Sequence, residues 1–288
     1  CEIIMEFNKK LNLMFVLFIL ITGIIIGSTL IFQAKNLIEK NQVSHFKSVI
    51  TLKEAQLNSF YRDQVEDIEK FKQNELLIDY LEKSKKYHLD LKNKGVREKE
   101  VHNLTYYREI RSKLDQFLLR DSDFSELFII DLKGIIHVSS NKEQENKFRK
   151  NEPYFIQGKK DTYIQNFFYD LSYERPSVVI STPVRDSNGK LIAVLAGRIN
   201  LQEISDILTE RSGLGKTGET YLVNDFNMIL TESRFFEDIK FKKTVHSKAV
   251  ESCLNKKEGY TFNTNYRDLE VLSYYKWIPQ LEVCILAE

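Results

Sequence analysis

The sequence has almost no net charge, and few of its residues are placed to form a metal or catalytic centre. Its 42 lysines and arginines nearly balance 41 acidic residues, which leaves a formal net charge of +1. Such a surface lacks the strong positive field that attracts nucleic acid, so we expect no nucleic-acid partner. The five histidines are scattered without ligand spacing, so we infer no metal and no cofactor.

Cysteine is also scarce, with Cys1, Cys253 and Cys284 as the three examples. They have no paired spacing, so the sequence indicates neither a disulfide framework nor a zinc site. We interpret Cys253 and Cys284 as small buried apolar residues. An N-terminal cysteine suggests a truncated start or a lipoprotein. In a lipoprotein the apolar segment precedes the cysteine, whereas here it follows, so we expect Met5 to be the better start.

Catalytic motifs are missing as well. The segment GLGKTGET at 213–220 resembles a phosphate loop, but Glu210 occupies the position of an essential glycine. No nucleophile elbow or comparable catalytic frame occurs in the sequence. We therefore predict no catalytic residues and expect that this chain is not itself an enzyme.

A long uncharged segment lies near the N-terminus, where no charged residue occurs between Lys10 and Lys35. Residues 11–32 form an apolar run that, at about 1.5 Å per residue, can cross a hydrocarbon layer of roughly 30 Å. Bulky Phe32 stands where a signal-peptide cleavage site needs a small residue, so we predict an uncleaved transmembrane helix. The lysines before it mark residues 1–10 as a cytoplasmic tail. The sequence thus predicts a plasma-membrane protein whose remaining chain is extracytoplasmic.

The next segment, from Gln33 to Phe71, has neither glycine nor proline. Apolar residues recur in it at helical spacing, which predicts a long amphipathic stalk helix that continues from the membrane helix. Three roles stay open for the stalk: mechanical coupling, a passive spacer, and a coiled coil that forms a homodimer. A second amphipathic helix is predicted over 103–119, after a lysine-rich loop at 83–99. We assign residues 33–119 to the stalk helix and a helical cover.

An internal repeat gives the architecture of the rest. Residues 125–140 (SELFIIDLKGIIHVSS) align without a gap with residues 218–233 (GETYLVNDFNMILTES), and each copy has the pattern of a β-hairpin. Three further strands follow each hairpin, and in the second copy a helix at 248–257 lies between the hairpin and the strands. The predicted strands are 162–169, 177–184 and 191–200 in the first copy and 259–266, 269–276 and 282–287 in the second. We therefore predict an α+β fold with two related antiparallel-sheet units, at 120–210 and 211–288.

This organisation, together with the phrases STPVRDSNGKLIAVLAGRINL and SGLGKTGETYLVND, resembles the double Cache domain, a tandem pair of PAS-like units found outside the membrane in prokaryotic receptors. The resemblance implies a small-molecule ligand in the membrane-distal unit. It also implies that the proximal unit transmits the signal to a second membrane helix, expected after Glu288.

Among such receptors we place a sensor histidine kinase first, because GLGKTGETYLVN resembles the link between units in kinase-associated members. A chemoreceptor or a diguanylate cyclase is the alternative within this class. A membrane-anchored scaffold or adhesion module without a ligand is the alternative from a different class.

The resemblance also suggests where a ligand binds, between the distal sheet and the covering segment RKNEPYFIQGKKDTYI. Tyr154 corresponds to a family tyrosine in this segment. Asn151 and Pro153 replace the arginine and tryptophan of the amino-acid-binding branch, which argues against an ordinary α-amino acid as the ligand.

Arg198 stands in the last distal strand, where the amino-acid-binding branch has an aspartate. An arginine on an otherwise apolar strand face needs an anionic partner, so we predict a ligand with an anionic group, such as a small carboxylate. Tyr163 and Ser181 are the predicted hydrogen-bonding neighbours. The alternative is that Arg198 pairs with Asp131 or Asp170 and contacts no ligand.

Overall fold

The computed structural model describes residues 2–83, 105–120, 123–211, 213–236 and 239–288. It begins with one continuous helix, α1 (Glu2–Lys72). The chain divides into two compact units, Cys1–Val49 and Ile50–Glu288. The predicted lysine-rich loop at 83–99 lies almost entirely outside the described residues.

The first unit is the N-terminal part of α1. Large apolar side chains project from it in every direction between Met14 and Phe32, and most of them are more than half exposed. Within the described residues, α1 is the one helix long and apolar enough to cross a membrane. An apolar surface all around a helix suits contact with lipid.

Within the second unit, α1 is amphipathic and packs one side against the two β-sheets. Among the apolar residues at helical spacing in this segment, Leu57, Phe60, Ile68 and Phe71 are buried. Polar residues fasten this part of the helix. Glu69 accepts hydrogen bonds from the hydroxyls of Thr162 and Thr182, and Lys276 donates to Glu54.

The helix ends at Lys72, and helical backbone resumes at 75–83 after a break at Gln73 and Asn74. The Asn74 side chain accepts a hydrogen bond from the backbone N–H of Leu76 at 3.0 Å, which satisfies a free donor at the new helix start. Helix α2 (Thr105–Leu118) then packs beside β1, with Tyr107, Ile110 and Leu114 buried.

The first sheet has five antiparallel strands in the order β2-β1-β5-β4-β3. Their bounds are β1 (Phe124–Ile130), β2 (Ile136–Ser139), β3 (Tyr163–Asp170), β4 (Arg175–Arg185) and β5 (Leu191–Ile199). A short 3-10 turn (Lys142–Gln144) and helix α3 (Pro153–Gly158) connect β2 to β3.

Helix α3 lies directly on one face of the first sheet. Tyr154 and Phe155 from α3 pack against alternate residues of the strands, among them Phe128, Val179 and Ala196. This close approach depends on the missing side chain of Gly158, since a Cβ there would lie 2.4 Å from the Ser181 Oγ atom.

The second sheet has four antiparallel strands in the order β6-β9-β8-β7. Helix α4 (Leu201–Thr209) leads to it from the first sheet, and α5 (Lys248–Leu254) packs on β7, β8 and β9. The strands are β6 (Thr220–Val223), β7 (Gly259–Thr264), β8 (Glu270–Ile278) and β9 (Val283–Ala287).

The predicted hairpin at the start of this sheet is only partly formed. The second arm is reduced to isolated bridges, which pair Val223 with Ile229 and Met228 with Thr244. Ile229 keeps the inward position that the repeat predicted, because its side chain is fully buried in the core of the second sheet.

A disulfide joins Cys253 of α5 to Cys284 of β9, whose Cα atoms are 5.9 Å apart. Both residues are fully buried, as predicted, but the expectation that the sequence carries no disulfide is wrong. A separation of 31 residues carries no pairing signal, because the two cysteines meet only when the helix packs on the strand. Disulfides persist in oxidising compartments, which agrees with a location outside the cytoplasm.

Candidate functional site

The candidate site lies on the face of the first sheet that α3 covers. Antiparallel pairing sets Arg198 of β5 opposite Glu126 of β1 and Val179 of β4. Since strand residues alternate between faces, Arg198 points to the same side as Ala196, and this is the side on which Tyr154 packs.

Arg198 sits in a buried network of charged and aromatic groups. Its Nη2 atom donates to Asp170 Oδ2 at 2.9 Å, and its Nε atom lies 3.3 Å from Glu126 Oε2. The guanidinium carbon lies 3.9 Å from the ring centroid of Tyr173, a cation–π contact. Glu126 also accepts hydrogen bonds from the hydroxyls of Ser139 and Tyr173. The Arg198 side chain is 3% exposed, so the protein rather than water balances its charge.

The alternative pairing of Arg198 with an internal acid is therefore present, through Asp170. Asp131 is not involved, because its Oδ1 atom accepts from the backbone N–H groups of Lys133 and Ile135 in the hairpin turn. Burial opposes charge on Arg198, but Tyr173, Asp170 and Glu126 outweigh it, and together they raise the pKa of the guanidinium.

Several buried polar atoms near this network have no hydrogen-bond partner among the described residues. They are the Arg198 Nη1, Arg149 Nε, Tyr154 Oη and Ser177 Oγ atoms. Arg149 and Arg198 both act on the Tyr154 hydroxyl electrostatically, and Glu152 and Asp170 act on it in the opposite direction. Burial has the largest effect on this hydroxyl and raises the pKa of Tyr154. All four groups can donate a hydrogen bond, and we call them the donor set because none of the four atoms has an acceptor among the described residues.

The other two predicted site residues have different surroundings. The Ser181 hydroxyl donates to the backbone oxygen of Tyr154 at 2.7 Å, so it fastens α3 to β4. Tyr163 pairs with Ser181 across the β3–β4 ladder and packs partly against the core under α3. These two residues border the donor set and support its position.

Sequence reasoning missed Arg149, Ser177 and the acidic partner Glu126. Arg149 lies two residues before the position at which the family arginine was sought, and Ser177 faces inward only because of the register of β4. Glu126 did carry a signal, because it aligns with Glu219 in the internal repeat.

The second sheet has a matching buried carboxylate. Glu219 accepts hydrogen bonds from the hydroxyls of Tyr266 and Ser233, as Glu126 does from Tyr173 and Ser139. The residue paired with this carboxylate differs between the sheets. Glu219 exchanges backbone hydrogen bonds with Glu288, whereas Glu126 is paired with Arg198.

Glu288 therefore needs donors rather than acceptors. Its carboxylate accepts hydrogen bonds from Tyr221, Asn265 and Ser273. Burial is the largest influence and raises the pKa of Glu288, and Glu219 acts in the same direction. The described residues include no cluster of three or more histidine, cysteine or acidic side chains that could hold a metal ion.

The sequence matches the Cache domain family over residues 34–287. The chain belongs to this family. The two sheets are the two halves of a double Cache domain, and the predicted fold class is confirmed. Among curated proteins, no sequence matches this chain.

Solved structures with the same Cache fold are sensor domains of receptors. The ligand-binding domain of the Pseudomonas aeruginosa PAO1 chemoreceptor PctC, in complex with GABA, is 13% identical with a TM-score of 0.52, over 86% of this chain and 98% of that one. The sensor domain of the Vibrio cholerae histidine kinase DctB is 12% identical with a TM-score of 0.52, over 84% and 97% of the two chains.

A third similar structure is the ligand-binding domain of the Campylobacter jejuni chemoreceptor Tlp3 in complex with 4-methylisoleucine. It is 14% identical with a TM-score of 0.52, over 87% of this chain and 90% of that one. At these identities the likeness concerns the fold. This Cache domain thus shares its fold with the sensor domains of receptors.

Proposed function

We propose that this Cache domain is the extracytoplasmic input domain of a transmembrane receptor and that its first sheet binds a small carboxylate. In this proposal residues 11–32 anchor the chain in the plasma membrane and residues 33–119 form the stalk and cover. Residues 120–210 are the ligand-binding unit and residues 211–288 the transmitting unit. The stalk helix also forms the homodimer.

The observation that carries the ligand class is the donor set around Tyr154. Unpaired buried polar groups are costly, so a buried set of four donors is best explained by an acceptor that is bound in the working protein. Two of the donors are guanidinium groups, and guanidinium groups recognise carboxylates through charge-assisted hydrogen bonds. Arg198 can serve in both roles, because Asp170 and Glu126 use its Nη2 and Nε atoms while Nη1 stays unpaired.

The experiment titrates the full chain in detergent micelles with two- to four-carbon mono- and dicarboxylates by calorimetry. The decisive variant is Tyr154→Phe, which keeps the buried ring and deletes only the unpaired hydroxyl. We expect the affinity for the carboxylate to fall about tenfold or more, because a hydrogen bond to a charged group is lost. The matched control is Tyr61→Phe, which deletes another buried hydroxyl without a hydrogen-bond partner, on the stalk helix.

Equal binding by Tyr154→Phe and the unmodified chain would remove Tyr154 from the site. Failure of every carboxylate to bind would refute the ligand class. Arg198→Ala is a less informative variant, because it also breaks two internal ion pairs.

For the parent protein we propose a sensor histidine kinase, with a chemoreceptor or a diguanylate cyclase as the alternative. The similarity of the inter-unit segment GLGKTGETYLVN to kinase-associated Cache domains supports this order. Sequencing the coding region beyond residue 288 tests it. A histidine-kinase module after a second apolar span is expected, and a methyl-accepting or cyclase module would overturn the order.

A further inference from the structure

A cleft of about 600 Å³ lies between the first and second sheets, and three of its lining residues, Pro153, Tyr163 and Phe168, adjoin Tyr154. One wall is the edge strand β3. The other wall comes from the turn after β6, the end of α5 and the β8–β9 connection. The volume lies in the range of small-molecule sites in proteins, roughly 300 to 1,000 Å³.

A β-bulge shapes the first wall. The register of β3 against β4 shifts between Gln165 and Phe168, so Asn166 and Phe167 are turned out of the regular alternation. Both side chains contact residues of the half of the domain that carries the second sheet. The Asn166 Nδ2 atom donates to the backbone oxygen of Gln280 at 3.2 Å, and the Phe167 ring is 6.2 Å from that of Phe241.

The second wall is braced by the disulfide. Leu254 follows Cys253, and Val283 precedes Cys284, so the cross-link fixes two parts of the lining relative to each other. Leu281 and Val283 are each 2% exposed. A wall held in this way is preformed, which lowers the entropic cost of binding.

The lining combines aromatic rings with hydrogen-bond acceptors. Phe167, Phe168 and Trp277 supply the rings. The Asn166 Oδ1 atom is buried and has no partner among the described residues. Asp225 and Glu282 add two carboxylates, neither of which forms an ion pair within the described part of the chain, against one cation, Lys256.

We propose that this cleft is a second ligand site and that it binds a small organic ammonium compound. An ammonium group donates to the Asn166 oxygen, is attracted by the carboxylates and is favoured over aromatic rings. Its apolar part contacts the rings. Residues of both sheets line the site, so its occupant stabilises one arrangement of the two sheets. The argument for this site uses none of the four donor atoms around Tyr154.

The chain carries its own reporter, because Trp277 is its single tryptophan and it lines the cleft. The experiment measures tryptophan emission of the full chain in detergent micelles during titration with n-butylammonium chloride. Pentan-1-ol serves as the neutral compound of similar size and pentanoate as the anion. We expect a saturable change in emission with butylammonium and none of comparable affinity with the other two.

The double variant Asp225→Asn with Glu282→Gln should weaken butylammonium binding about fivefold or more, since each exposed ion pair contributes up to about fivefold. Glu251→Gln, on the exposed side of α5 and outside the cleft lining, is the control for loss of a carboxylate elsewhere and should bind as the unmodified chain does. Non-saturable quenching, a preference for pentanoate or pentanol, or an unchanged affinity in the double variant would each overturn the proposal.

Discussion

Replacing Arg198 with methionine tests the energetics of the buried network on the first sheet. Methionine keeps much of the apolar volume of arginine and removes the charge. The Glu126 and Asp170 carboxylates would then lose their shared cation in a place where water cannot replace it, because both side chains are less than 10% exposed.

Breaking a buried ion pair by removal of one partner costs about 3 to 5 kcal/mol. Glu126 keeps the Ser139 and Tyr173 hydroxyls as donors, and Asp170 keeps the Ser172 backbone N–H. These bonds place the expected loss for Arg198→Met near the lower limit, about 3 kcal/mol. The triple variant that adds Glu126→Gln and Asp170→Asn should recover most of this loss, because no unpaired charge then stays buried.

Urea unfolding of the full chain in detergent, followed by circular dichroism, measures these changes. Arg185→Met removes an arginine from an exposed position on β4 and should lie within about 0.5 kcal/mol of the unmodified chain. A loss below about 1 kcal/mol for Arg198→Met, or a triple variant less stable than Arg198→Met, would refute the reasoning.

Gly158→Ala should cost about 1 to 3 kcal/mol in thermal unfolding, because its Cβ would overlap the Ser181 hydroxyl, and adding Ser181→Ala should restore part of that stability. The double variant Cys253→Ala with Cys284→Ala should lose about 3 to 4 kcal/mol of unfolding free energy. A reductant should lower the stability of the unmodified chain and leave that of the double variant unchanged. An unmodified chain that is equally stable with and without reductant would contradict a formed disulfide. Burial raises the pKa of Glu152, which lies beside the donor set. Glu152 is therefore charged, and repels a bound carboxylate, only at a pH above that raised pKa. Carboxylate affinity should therefore fall as the pH rises through that raised pKa, and Glu152→Gln should flatten the decline; an affinity that rises over this range would be incompatible with this sign.

The strands of both sheets were predictable because their alternating patterns and turns are local features. Predicted 191–200 and observed Leu191–Ile199 differ by one residue, and α5 was found at its predicted start, Lys248. The second arm of the hairpin, around Ile229, was predicted as a strand because its sequence alternates as a strand does, but it forms only isolated bridges.

The candidate site was harder to predict, because it depends on contacts between distant segments. Arg198 and Tyr154 could be chosen from one strand and one covering segment. The part played by Asp170 could be stated only as an alternative, and Arg149 was not found at all. Their proximity follows from how the β2–β3 connection folds over the sheet, and no local spacing encodes that path.

The polar contacts of the stalk helix have a mechanical consequence. Glu54 is joined to a lysine of the second sheet, and Glu69 to threonines of the first, 15 residues further along the same helix. At 1.5 Å per residue these attachment points are about 22 Å apart on one stiff rod. If one sheet rotates relative to the other, helix α1 therefore either rotates with it or loses the contacts of Glu54 or of Glu69. A cross-link at either attachment point would block a different one of these movements.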